Sequence, residues 1–132
     1  MADNKYMVSY MYVIVDTSSM LFAMESRKSA IDTVELKYPG KGILISKGVI
    51  KELSGIGSGK GKRAATARSC LEILKLKNVK VDSNTGNVDR WILSRAGESD
   101  IYCVITNDTE LFNRLRFKNI AVFKLSRNGI LK

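Results

Sequence analysis

Ile101-Tyr102-Cys103-Val104-Ile105-Thr106-Asn107-Asp108-Thr109-Glu110-Leu111 is the stretch whose reading decides the fold. Residues 101–105 are a short apolar run rich in β-branched and aromatic side chains, and they predict a buried strand. A polar turn ending in Asp108 follows. Leu111, Phe112 and Leu115 then recur at helical spacing and predict a helix over 109–117. A strand passing through a turn into a helix is half of a βαβ unit.

The same unit repeats on either side. Downstream, residues 120–125 read as a last strand. Upstream, 88–98 reads as a helix burying Val88, Trp91, Ile92 and Ala96, preceded by a turn at 83–86 and a weak strand at 79–81. Residues 62–77 predict the longest helix, and 55–61 a Gly-rich loop. Residues 47–53 predict a short helix, with Ser46 as an N-cap candidate after a strand at 42–45. A helix over 26–38 is stopped by Pro39-Gly40, and residues 10–15 form the first strand, with Thr17 and Ser18 able to cap a helix after it. Strands alternating with helices from end to end predict a three-layer α/β/α fold: a central parallel sheet with helices on both faces. The 132 residues, 45% apolar and with 1 Pro, fit a single domain over 1–132.

Composition narrows the chemistry. There is no histidine, which excludes Ser-His-Asp and Cys-His triads and His-liganded zinc. Cys70 and Cys103 lack a metal-type spacing and read as buried free thiols. The apolar run at 11–15 is too short for a membrane helix, so the expectation is a cytoplasmic protein without a membrane partner. The net charge of +9 points to a polyanion, because neutralised phosphates release counterions.

Four acids fall where an open α/β sheet places its sites, outside the carboxyl ends of the strands. Asp16 follows the first strand, Glu52 lies on the helix after the second, Asp89 opens the helix after the third, and Asp108 follows the fourth. Hard Mg²⁺ or Mn²⁺ ions take such oxygen ligands, and a carboxylate cluster holding one or two ions can hydrolyse a phosphodiester without histidine. Each acid also has a plainer reading. Asp16 and Asp108 can be helix N-caps, Asp89 a first-turn acid facing the helix dipole, and Glu52 a solvated helix residue.

The Gly-rich loop is not a nucleotide motif. A P-loop needs glycine at position 54 and Ser or Thr at 61, where Ser54 and Gly61 stand; a dinucleotide fingerprint from Gly57 needs glycine at 62, which is Lys62. It reads as a basic loop on RNA backbone or as a plain connector. Lys60, Lys62, Arg63 and Arg68 form one basic group able to bind RNA, and Arg114, Arg116 and Lys118 another. Trp91 can stack on a base, but its spacing with Val88 and Ile92 favours the core.

These residues also carry a family resemblance, over roughly residues 10–126. Val13-Ile14-Val15-Asp16-Thr17-Ser18 resembles the opening of a PIN domain, with Ser18 where Asn is usual. Val49-Ile50-Lys51-Glu52-Leu53 and Val88-Asp89-Arg90-Trp91-Ile92-Leu93 resemble the segments bearing the second and third acids. Thr106-Asn107-Asp108 is similar to the family's Thr-Asn-Asp stretch, its most specific piece. Gly59-Lys60-Gly61-Lys62-Arg63-Ala64-Ala65 is similar to the basic stretch of small-subunit rRNA-processing PIN nucleases and their archaeal relatives. The resemblance implies a flap-nuclease-like fold and a Mg²⁺- or Mn²⁺-dependent endoribonuclease. Asp16, Glu52, Asp89 and Asp108 would be its ligands, with Ser18, Thr106 and Asn107 orienting them by hydrogen bonds. It also implies a homodimer. Three roles follow: a processing nuclease for ribosomal or other structured RNA, a VapC-type toxin restrained by an antitoxin, and a non-catalytic RNA-binding subunit of a larger assembly such as a ribosome-assembly particle.

Overall fold

The computed structural model describes residues 11–129 and 131. Eleven elements follow one another: β1 (Tyr12–Val15), α1 (Thr17–Glu25), α2 (Ala30–Lys37), β2 (Gly42–Ser46), α3 (Lys47–Gly57), α4 (Lys62–Leu76), β3 (Lys80–Asp82), α5 (Val88–Arg95), β4 (Ile101–Ile105), α6 (Thr109–Phe117) and β5 (Val122–Phe123). The strands form one sheet in the order β3-β2-β1-β4-β5, and every pairing is parallel.

The apolar runs explain the order. Val13, Ile14, Val15, Ile43, Leu44, Ile45, Cys103, Val104 and Ile105 are all buried, as strands covered on both faces must be. The edge strand β3 is charged and largely exposed, which discourages pairing with another chain. Right-handed crossovers put α1 to α4 on one face and α5 and α6 on the other. Packing agrees, with α1 touching α2, α3 and α4, and α5 touching α6. Cys70 and Cys103 are buried free thiols, and Trp91, at 7% exposure, belongs to the core. Among the described residues no helix is long and apolar enough to cross a membrane.

Several boundaries differ from the sequence reading. The helix expected over 26–38 begins only at Ala30: Arg27 takes a left-handed φ of 58° in the turn after α1, and Ser29 caps α2 by accepting from the Asp32 N–H. Gly55, Ile56 and Gly57, expected in the loop, all lie inside α3, so the loop shrinks to residues 58–61. Packing overrides glycine's poor helix propensity here. Gly57 is buried beneath Arg68, where a Cβ would sit 3.1 Å from the arginine Cγ. The third strand shifts by one residue because Leu44, Ile45 and Ser46 pair with Lys80, Val81 and Asp82. The helix expected to reach Glu98 ends at Arg95, and the last strand contracts to Val122–Phe123. Tyr10, expected to begin β1, lies outside the described residues.

The chain winds from β1 outward to β3 and then returns to place β4 on the other side of β1. This reversal opens a crevice at the carboxyl ends of β1 and β4, where α/β sheets bind ligands.

Candidate active site

Asp16 stands at the end of β1 and is held there by its own N–H, which donates to the Ile105 carbonyl of β4 (2.9 Å). It occupies the N-cap position of α1, yet its side chain makes no capping bond. The carboxylate Oδ2 instead accepts from the Ser18 hydroxyl (2.7 Å) and the Thr106 hydroxyl (2.8 Å). Only 4% of the residue is exposed. Burial raises its pKa, with a smaller upward push from Glu52, while the two hydroxyls pull it down.

Asp108 follows β4 and does cap its helix: Oδ1 accepts from the Leu111 N–H of α6 (2.9 Å), so its N-cap reading holds. The Asp108 N–H donates to Thr106 Oγ1 (3.1 Å), which ties it to the hydroxyl that holds Asp16. Asp89 lies in the first turn of α5, which Asn87 caps through the Arg90 N–H (2.9 Å). Burial raises the Asp89 pKa first, then the charges of Asp16 and Asp108, while Arg114 opposes them. Glu52 projects from α3, and its Oε1 accepts from the Thr17 hydroxyl (2.6 Å). Gly48 lets the start of α3 close on the loop before α5, since a Cβ there would stand 2.7 Å from the Gly86 carbonyl oxygen.

All four acids line one cleft of about 360 Å³, floored by Leu21 and Ile56 and walled by Arg63. Among the described residues none of the four forms a salt bridge, and no three are drawn into a ready-made ion cage. Hard oxygen donors crowded near a buried carboxylate that has no basic partner among the described residues fit a divalent cation.

The neighbouring residues divide their work. Ser18 and Thr106 touch Asp16 directly. The Asn107 side chain reaches none of the acids. Its Oδ1 accepts from the Ser19 hydroxyl (2.7 Å) and the Leu125 N–H (3.1 Å), and its Nδ2 donates to the Leu125 carbonyl (3.0 Å). Asn107 therefore pins α1 to the segment after β5, and acts on the site only through its N–H, which donates to Ser18 Oγ (3.0 Å). Thr17, read from sequence only as a cap, is the bridge to Glu52. Its place beside Asp16 was the available signal, but its partner lies 35 residues away.

The basic group from 60 to 68 also divides. Arg63 enters the acidic cleft, Lys62 and Arg63 line an adjoining hollow with Glu25 and Thr66, and Lys60 is exposed. Arg68 Nη1 donates to the Gly57 carbonyl (2.7 Å) and more weakly to that of Gly59 (3.4 Å), so it braces the loop that carries Lys60.

Comparison with known proteins accords with this architecture. The chain is similar in fold to the PIN domain endonuclease Utp24, at 24% identity and TM-score 0.72 over 91% of this chain and 88% of that one. It is similar to a domain of a functionally unknown protein from Methanocaldococcus jannaschii DSM 2661, at 21% identity and TM-score 0.57 over 88% and 91% of the two chains. It is also similar to VapBC2 from Rickettsia felis bound to a DNA fragment from their promoter, at 20% identity and TM-score 0.59 over 86% and 98%. Its sequence has no significant match among curated proteins. A family model described as a PIN like domain matches residues 13–128, a span that runs from β1 past β5 and takes in all four acids of the cleft. With parallel sheet, switch-point crevice and family match in agreement, this chain belongs to the PIN-like domain family.

Proposed function

We propose that this protein is a metal-dependent endoribonuclease that hydrolyses RNA phosphodiester bonds at the cleft of Asp16, Glu52, Asp89 and Asp108. The observation that carries the reading is that acids from four separate strand–helix units line one cleft, none of them paired with a base among the described residues. These four would hold Mg²⁺ or Mn²⁺, as one or two ions. When bound, the metal supplies a nucleophilic water at neutral pH and neutralises charge developing on the leaving oxygen. The protein's own residues do the rest. Ser18 and Thr106 fix the Asp16 carboxylate, and Thr17 fixes Glu52. Asp108 commits one oxygen to its helix and keeps the other for the site. Arg63 offers a guanidinium to the phosphate, and Lys60 and Lys62 extend the cationic surface away from the cleft.

Ribosomal or other structured RNA is the proposed substrate, on the strength of the 59–65 basic stretch and the fold likeness to an endonuclease. A toxin paired with an antitoxin is the second reading, on the likeness to VapBC2. A cytoplasmic site of action and a homodimer are proposed with either. The test is incubation of a total-RNA pool with Mn²⁺ and mapping of the cut ends, with Asp108→Asn alongside. Discrete cuts by wild type only are expected. Equal cutting by Asp108→Asn rejects the site, and binding without cutting by any form favours a non-catalytic RNA-binding subunit.

A further inference from the structure

A second feature, which the proposed chemistry does not use, lies on the two helices whose starts carry Asp89 and Asp108. Asp89 and Asp108 sit at the starts of α5 and α6, and the two helices pack against each other. Between their later turns lies a groove of about 310 Å³ lined by Leu93, Asn113, Arg114, Phe117 and Lys118. Leu93 is one turn beyond Asp89. Arg114 and Phe117 lie about 9 Å and about 13 Å along α6 from Asp108, at the ordinary helical rise.

The lining is unusual for a surface. Phe117 is 89% exposed, the most open of the large apolar side chains among the described residues. Asn113 and Phe117, and Arg114 and the C-cap residue Lys118, are each one turn apart, so the four fall on one side of α6 and its end. Lys118 reaches across to α5, its Nζ donating to the Leu93 carbonyl (3.5 Å). Among the described residues no acid lines the groove, in contrast to the acidic cleft. An open ring and an apolar floor, flanked by two cations and an amide, suit a nucleobase: the ring stacks, the cations meet the phosphates on either side, and the amide reaches a base edge.

We infer that this groove seats a nucleobase of the RNA strand, next to the phosphodiester held at the acidic cleft. The inference rests on the nuclease reading above for the position of the cut, but not for the contact itself. It makes the preferred substrate single-stranded at this point, because a paired base cannot stack on Phe117.

The test measures binding apart from cleavage. A short fluorescent single-stranded RNA is titrated in EDTA against wild type, Phe117→Ala, Phe117→Trp and Arg114→Ala. Phe117 is so exposed that its replacement leaves the fold intact, which circular dichroism checks. Phe117→Ala should weaken binding about tenfold. Phe117→Trp should retain affinity, and its fluorescence should be quenched by RNA but not by inorganic polyphosphate; the native tryptophan, Trp91, is buried and serves as background. Wild type that binds RNA through Phe117 yet never cuts it rejects the nuclease reading and supports the groove. Unchanged affinity for Phe117→Ala together with unmoved fluorescence of Phe117→Trp overturns the groove. So does a Phe117→Ala protein that binds RNA normally but loses self-association in light scattering, which would mark a protein interface instead.

Discussion

Thr106→Val removes one hydroxyl and keeps the side chain's shape. The residue is fully buried, and its hydroxyl donates to Asp16 Oδ2 (2.8 Å) while accepting from the Asp108 N–H (3.1 Å). A hydrogen bond to a charged acceptor contributes about 1.5–3 kcal/mol, and losing this one leaves Asp16 with Ser18 as its remaining hydroxyl donor. The Asp108 amide is half-buried and can rehydrate, so it adds little. With an unfolding entropy of about 2.1 cal/mol/K per residue over 132 residues, each kcal/mol lowers Tm by about 4 °C. Thr106→Val should therefore melt about 5–11 °C below wild type at neutral pH without divalent metal. The pH dependence separates this cause from packing. Burial holds the folded pKa of Asp16 above its ordinary 3.8, so its contribution to stability falls as pH rises from there through the folded value. Removing a hydroxyl that pulls the pKa down raises the folded value further. The destabilisation must then be largest above that value and must shrink as pH falls toward the ordinary 3.8. Urea unfolding of both proteins at about pH 7 and about pH 4 measures it. A loss below about 0.5 kcal/mol at the higher pH, or an equal loss at both, refutes the argument.

Millimolar Mn²⁺ should raise Tm by binding the native state, and Asp16→Asn should blunt the effect; a calorimetric titration without heat would count against the metal site. Asp108→Asn should abolish RNA cleavage with its melting curve unchanged, because Asn caps a helix as well as Asp, whereas Asp108→Ala should also lose about 1 kcal/mol of stability by denaturation. Arg63→Ala should lower kcat at saturating RNA more than it weakens binding, as steady-state kinetics will report; Arg68→Ala should instead loosen the 58–61 loop, visible as faster amide exchange there. Binding to a labelled RNA should fall steeply with salt, and Lys60→Ala with Lys62→Ala should flatten that slope in fluorescence titrations.

Local signals in the chain were strong where one force acted alone. The run 101–105 coincides with β4 because five apolar residues bounded by polar ones have few other solutions. Asp16, Glu52, Asp89 and Asp108 could be placed at one rim because parallel sheets bring all strand ends to the same side. Where local preference and packing disagreed, packing prevailed. Gly55 and Gly57 read as loop, but α3 runs through them because Gly57 fits beneath Arg68.

Sequence alone thus determined the alternating layers, the lack of histidine among these 132 residues and the end of the sheet at which the acids gather, since these follow from composition, periodicity and chain direction. Only tertiary structure decided what each side chain does there. It separated Asp16, whose carboxylate is turned to the Ser18 and Thr106 hydroxyls, from Asp108, which caps its helix. It turned Asn107 away to brace Leu125, and joined Thr17 to Glu52. The physical reason is range: an N-cap or a strand is settled within a few residues, whereas the bond from Thr106 to Asp16 spans 90 residues and exists only once β1 and β4 lie side by side.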